Sequence, residues 1–347
     1  MKISEKMVEE MDGQQVIEYC ITNKNGASLR AINYGATLTA IEVPDRNGQL
    51  ANVVLGFATV KEYIEHKAFF GATVGRVAGR IKDGQFKLNG EKYQLILNEG
   101  KHHLHGGGHF NQQIWESKSK ITKEGGELHF NYFSPTGEKG YPGNLNVSVV
   151  FTLTEQNQWK IKYQAETDQA TLFDPTNHVY FNLSGQPHST ILDHELTLKS
   201  DKIVELQTDL IPTGELMEVK GTAFDLNKGH KLRAGIESRH PQNQLVKGYD
   251  HGFVLVNKIN EEAAILVDSS SGRRLKMYTD RPAVVVYSGN QLNGEFELNG
   301  LPVQRYAGMT LETQGLPDAM NHQGFGSIVL KPGEKYTSET SYTFDIV

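Results

Sequence analysis

The sequence predicts a large, mostly antiparallel β-sandwich with very little helix. Three observations carry that reading. Hydrophobic residues recur with a period of two, as on half-buried strands whose side chains alternate between faces. Turn pairs of the Asn-Gly and Asp-Gly type punctuate these runs and supply the positive φ that tight hairpins need. No βαβ rhythm is present, which argues against a parallel α/β sheet.

The elements follow in order. Asn25-Gly26 and Asn47-Gly48 mark early turns, and Val60–Glu65 after Thr59 reads as one or two helical turns. Asp83-Gly84, Asn89-Gly90 and Gly125-Gly126 are further turns. Leu145, Val147, Val149 and Phe151 alternate with polar residues, as do Trp159, Ile161, Tyr163 and Ala165, then Leu196 and Leu198. Residues 232–238 read as a second short helix, closed off before Pro241. Ser271-Gly272 precedes the strand pattern Leu275, Met277, Thr279, and Asn293-Gly294 and Asn299-Gly300 close the series. With no linker, composition break or repeat, residues 1–347 are expected to form one domain.

Composition narrows the function classes. A net charge of −6 with no basic stripe speaks against nucleic-acid binding. A single cysteine, Cys20, allows no internal disulfide and no thiolate metal cluster. The N-terminus lacks an apolar core of signal-peptide length, and the longest apolar runs, such as 283–287, are strand-sized. The expectation is a cytoplasmic protein with no membrane or nucleic-acid partner, monomeric or homodimeric.

Five stretches can carry chemistry. Gly75 to Ile81 is glycine-rich with Arg76 and Arg80; it reads either as a turn with two surface arginines or as a scaffold holding Arg80, whose guanidinium suits hydroxyls or a carboxylate. Asn98 to His109 packs His102, His103, His105 and His109 into eight residues. The readings there are a metal site, solvated loop histidines, or one histidine on a pocket floor. His105 suits the last, because the three glycines after it would let a ligand approach the backbone. His178, in Asn177-His178-Val179-Tyr180-Phe181-Asn182-Leu183, is either a satisfied core histidine or an acid/base. Asp250, in Gly248-Tyr249-Asp250-His251, is a turn residue or a hydroxyl acceptor. Glu312, in Leu311-Glu312-Thr313-Gln314, is a solvated strand-end carboxylate or a partly desolvated general base. No Gly-x-Ser-x-Gly elbow supports a serine nucleophile.

Together these stretches resemble the aldose 1-epimerase (galactose mutarotase) family nearly end to end. Asn33-Tyr34-Gly35-Ala36, Ser134 to Gly143, Pro212-Thr213-Gly214, Gly221 to Asp225, Tyr287-Ser288-Gly289-Asn290 and Pro332-Gly333-Glu334 add to the match. The resemblance implies a galactose mutarotase-like sandwich with an open cleft. It implies Glu312 as the base that takes the anomeric proton and His178 as the acid that protonates the ring oxygen. Arg80, His105 and Asp250 would hold sugar hydroxyls, with no metal or other cofactor. Two positions depart from the family pattern: Gly79 stands where Asn usually precedes the arginine, and Val285 where Gln is common. Losing two amides should change which sugar fits, and a 4-substituted glucose such as maltose is the expected alternative to galactose.

Overall fold

The computed structural model describes residues 1–256 and 260–347. Among these, three antiparallel sheets dominate. Five N-terminal strands, from Lys2–Met11 to Leu50–Asn52, pair in sequence order. A nine-stranded sheet runs from Glu116–Ile121 through Leu145–Leu153, Gln158–Thr167 and Tyr336–Ile346 to His230–Lys231. A six-stranded sheet orders Tyr180–Phe181, Met309–Gln314, Ala283–Tyr287, Asp250–Leu255, Ser200–Leu206 and Pro212–Glu218 side by side.

The period-two pattern is the cause of the layering. In Gln158–Thr167, Trp159, Ile161, Tyr163 and Ala165 are buried while Lys162, Gln164 and Glu166 face out. The buried set meets Leu128, Phe130, Val149 and Phe151 of the same sheet, Leu29 and Leu38 of the N-terminal sheet, and Val284, Val286 and Leu311 of the six-stranded sheet in one apolar cluster. Burying such side chains contributes roughly 1.5–3 kcal/mol each before conformational entropy is set against it.

Turn chemistry fixes the registers. Asn89-Gly90 (φ 52° and 86°) joins Gln85–Leu88 to Glu91–Gln94, and Asn299-Gly300 (φ 51° and 79°) joins Glu297–Leu298 to Leu301–Pro302. Asp12-Gly13 (φ 50° and 77°) does the same between the first two strands, a hairpin the sequence reading did not mark. Val60–Glu65 is helical, with Thr59 and Glu62 forming a reciprocal capping box. Arg233–Ile236 falls inside the expected 232–238 helix. Pro241 does not follow as a stop: it starts a further helix, Pro241–Val246, because proline's missing N–H costs nothing at the first helical position.

The six-stranded sheet has one face for the core and one for a cleft. Leu311, Val284, Val286 and Phe253 point inward. Their neighbours Thr310, Glu312 and Gln314 therefore point the other way, beside Val285 and Tyr287 on one strand and Asp250 and Gly252 on the next.

Candidate active site

Cross-strand pairing puts Glu312, Val285 and Gly252 in one row and Thr310, Tyr287 and Asp250 in the row beside it. Most of these side chains, with Arg80, His105 and His178, line a cavity of about 550 Å³. The end of the Val60–Glu65 helix with the residues after it, Tyr63 to Phe69, and Gln291, Leu292, Glu295 and Phe296 line the same cavity.

Glu312 is 3% exposed and, among the described residues, accepts one hydrogen bond, from Thr310 Oγ1 at 2.9 Å. Burial disfavours its charge and pushes its carboxyl up to about 8; the Thr310 bond opposes this, the Asp250 charge adds to it, and the Arg80 charge partly offsets it. His178 follows Thr176–Asn177 and precedes Tyr180–Phe181, the edge strand that pairs with Met309–Gln314. Its Nε2 lies 3.4 Å from Glu312 Oε1. Burial pushes its imidazole down to about 4. The ring rests against Tyr180 and against Phe69, which has a φ of 56°.

His105 stands at right angles to His178 with ring centroids 5.2 Å apart. Its Nδ1 accepts the Gly79 N–H at 3.2 Å, so the neutral ring carries its proton on Nε2. Burial, then the His178 and Arg80 charges, hold it well below the ordinary histidine range. Arg80 starts a two-residue strand paired with His103–Leu104 and grips Glu99 through Nε and Nη2 at 2.7 and 2.9 Å. Burial works against its charge, but Asp250, Glu99 and Glu312 outweigh that and raise it. Asp250 opens the strand Asp250–Leu255; burial raises its carboxyl, and Arg80 draws it back.

The aldose 1-epimerase family profile matches residues 18–343. The chain belongs to that family. It is 41% identical over 318 residues to the galactose mutarotase of Sus scrofa, covering 91% of this chain and 90% of that one. It is 37% identical over 340 residues to the aldose 1-epimerase of Haemophilus influenzae, covering 96% and 97%. A solved galactose 1-epimerase from Lactobacillus acidophilus NCFM superposes with a TM-score of 0.90 at 32% identity, covering 99% of both chains. The protein is thus a carbohydrate epimerase, an isomerase, on a galactose mutarotase-like β fold.

In this epimerase the five residues singled out in the sequence converge on one cleft, and several of their neighbours fall elsewhere. Arg76 is not a surface arginine. It is 1% exposed and donates to the carbonyls of Ser134, Pro135 and Pro142 and to the hydroxyls of Ser134 and Thr171. The other loop histidines have structural partners. His103 bridges Ile96 O and Tyr141 Oη, His109 meets Glu138 and Tyr132, and His102 sits between the Asp83 N–H and Asp209. The glycines after His105 have mixed reasons: a Cβ on Gly106 would lie 1.7 Å from Gly75 O, so backbone packing requires it, while Gly107 and Gly108 line the cleft.

Among the described residues, the donors best placed for a divalent metal are His105, His178 and Glu312, whose ligand atoms lie within 4.8 Å of one another. The 102–109 cluster by itself offers no comparable set there. No described helix is long and apolar enough to cross a membrane. Glu99, Phe69, Thr310 and Gln314 escaped the sequence reading. Only the last two had a signal, since alternation from Glu312 puts both on its face.

Proposed function

We propose that this epimerase interconverts the α and β anomers of an aldose by acid/base ring opening, carried by one domain spanning residues 1–347. The observation that supports this best is the contact between Glu312 and His178, 3.4 Å apart and buried in the cleft. With the histidine down near 4 and the glutamate up near 8, the pair holds one proton across that whole range. One proton shared by two groups is what the reaction needs: one gives while the other takes.

Transfer of that proton to the imidazole gives a carboxylate and an imidazolium. Glu312 then removes the proton from the anomeric hydroxyl while His178 protonates the ring oxygen. The C1–O5 bond breaks, C1 becomes an aldehyde, and rotation about C1–C2 presents its other face. Closure runs the same transfers backwards and restores the pair. Arg80, His105 and Asp250 hold hydroxyls and orient the ring: a fixed guanidinium, an Nε2–H donor and a carboxylate acceptor.

The sugar is a finer proposal. Gly79 and Val285 leave the cleft without two amides, and its walls continue past the pair along residues 63–69 and 291–296. A 4-substituted glucose such as maltose fits such a site as an alternative to galactose. Polarimetry of freshly dissolved α-galactose, α-glucose and α-maltose is the test. Accelerated relaxation that Glu312→Gln slows by roughly 10²–10⁴-fold is expected. No acceleration with any of the three would make the chain a sugar-binding protein on the same scaffold, and a clear galactose preference would remove the maltose reading.

A further inference from the structure

Gln314 is fully buried, yet neither its Oε1 nor its Nε2 has a hydrogen-bond partner among the described residues. An unpaired buried amide is costly, and native proteins rarely keep one without a ligand or water to satisfy it. It lies two residues along the strand from Glu312, on the same face, about 7 Å away by strand rise. It lines the same cleft.

Gly79 explains what faces this amide. A Cβ at residue 79 would lie 3.4 Å from Gln314 Nε2 and 3.5 Å from Pro317 Cβ. Any side chain there would grow toward the amide and Pro317; with glycine, only backbone lies on that side, and no side chain there pairs with the amide's oxygen or nitrogen. Gly79 also gives its N–H to His105 Nδ1, so the glycine belongs to the same wall as a group proposed to hold the sugar.

From this orphaned amide under a missing side chain we infer that Gln314 is a specificity-determining residue that binds a sugar hydroxyl other than the anomeric one. The chemistry matches. A carboxamide offers a donor and an acceptor side by side, and a hydroxyl, or a neighbouring pair of them, uses both. The inference rests on the epimerase reading of the cleft and adds to it a contact that accounts for Gly79. Gln314 moves no proton, so its contribution belongs to binding and choice of sugar.

The test compares Gln314→Leu and Gly79→Asn with the unaltered protein. Mutarotation is followed on the best hexose and on its 2-, 3-, 4- and 6-deoxy analogues, with a thermal melt for each variant. Gln314→Leu should raise KM on the parent sugar about 10- to 100-fold with kcat nearly unchanged. The loss should vanish for the one analogue that lacks the bonded hydroxyl. Gly79→Asn, a residue that tolerates positive φ, should reproduce the pattern by pairing its own amide with Gln314. Neither melting point should fall, since Gln314 gives the fold no hydrogen bond. Equal losses across all analogues, an unchanged KM, or a lowered melting point with Gln314→Leu would each overturn the assignment. Unaltered protein that accelerates no sugar would instead sink the epimerase reading and this inference with it, a result distinguishable because it needs no variant.

Discussion

Two glutamates, the half-buried Glu138 and the buried Glu312, each touch a histidine, and their carboxyls shift in opposite directions. Glu138 meets His109 Nε2 at 2.9 Å, and Glu312 meets His178 Nε2 at 3.4 Å. Burial raises both carboxyls. Glu138 also accepts from His109, from the Ser134 hydroxyl and from the Tyr132 hydroxyl, and these bonds bring it below its ordinary value. Among the described residues Glu312 accepts a hydrogen bond from Thr310 only, besides its 3.4 Å contact with His178, and stays up near 8. Donors and burial act in the same sense: Glu138 receives three donors and keeps 12% of its side chain exposed, while Glu312 is 3% exposed. A saturated carboxylate is a structural anchor, and an undersupplied one keeps a proton to exchange.

The largest expected effect is a crossover of function and stability. Glu312→Gln removes the proton carrier and should cost roughly 10²–10⁴-fold in rate without loss of stability, because a neutral amide replaces a group whose charge the site disfavours. Glu138→Gln should keep the rate and lose about 1–3 kcal/mol, because it weakens a satisfied hydrogen-bond set. Polarimetry and denaturant unfolding of both variants check this. A Glu138→Gln protein that folds as before but loses activity would break the distinction.

The next effect is in pH. The one-proton state of His178 and Glu312 predicts a kcat/KM plateau that falls below about 4 and above about 8. Stability moves in opposite senses at the two glutamates. Glu312, raised on folding, contributes stability at low pH that is lost as pH rises from its unfolded value to about 8. Glu138, lowered on folding, contributes stability above its unfolded value that is lost as pH falls through its lowered folded value. Unfolding curves of Glu312→Gln and Glu138→Gln across pH 3–9 should therefore lie nearest the parent at low pH and diverge from it in opposite directions as pH rises, Glu312→Gln gaining on the parent and Glu138→Gln falling behind it.

This contrast marks what a sequence can and cannot show. Alternation and Asn-Gly turns are local, so strands such as Gln158–Thr167 were legible before any contact was known. Glu312, His178, Arg80, His105 and Asp250 stood out through the motifs around them, but no motif shows how many donors a carboxylate receives. Arg76 looked exposed because its partners at residues 134, 135, 142 and 171 are brought to it only by the tertiary fold. His102, His103 and His109 looked like a cluster in sequence because spacing does not reveal that each turns to a different wall. No motif shows where the two members of the acid/base pair titrate either. Burial moves them apart, one to each side of neutrality.

A smaller change tests the donor argument on Glu312 itself. Thr310→Val keeps the shape of the side chain and removes the one donor the carboxyl has among the described residues. Glu312 should rise further, and the alkaline limb of kcat/KM should move up by about one pH unit, the usual worth of a hydrogen bond to a charged group. Thr310→Ser should restore the parent profile. A limb that stays in place in Thr310→Val would show that another group sets it.

The smallest effect comes from the opposite manipulation. Val285 sits directly across from Glu312 in the strand pairing and presents hydrocarbon to it. Val285→Gln would bring an N–H donor beside the carboxylate and partly undo its desolvation, so Glu312 should fall and the alkaline limb should move down. The shift should stay below one unit, because the new amide gives up side-chain entropy to hold one geometry and the sugar competes for it. Val285→Gln combined with Thr310→Val should lie near the parent limb if both act through the proton affinity of Glu312. They flank the same carboxylate, so their effects need not add in full, and the sign is the firmer expectation. An alkaline limb that moves up in Val285→Gln would mean that the apolar wall does not hold Glu312 high, and the comparison with Glu138 would then rest on hydrogen bonds alone.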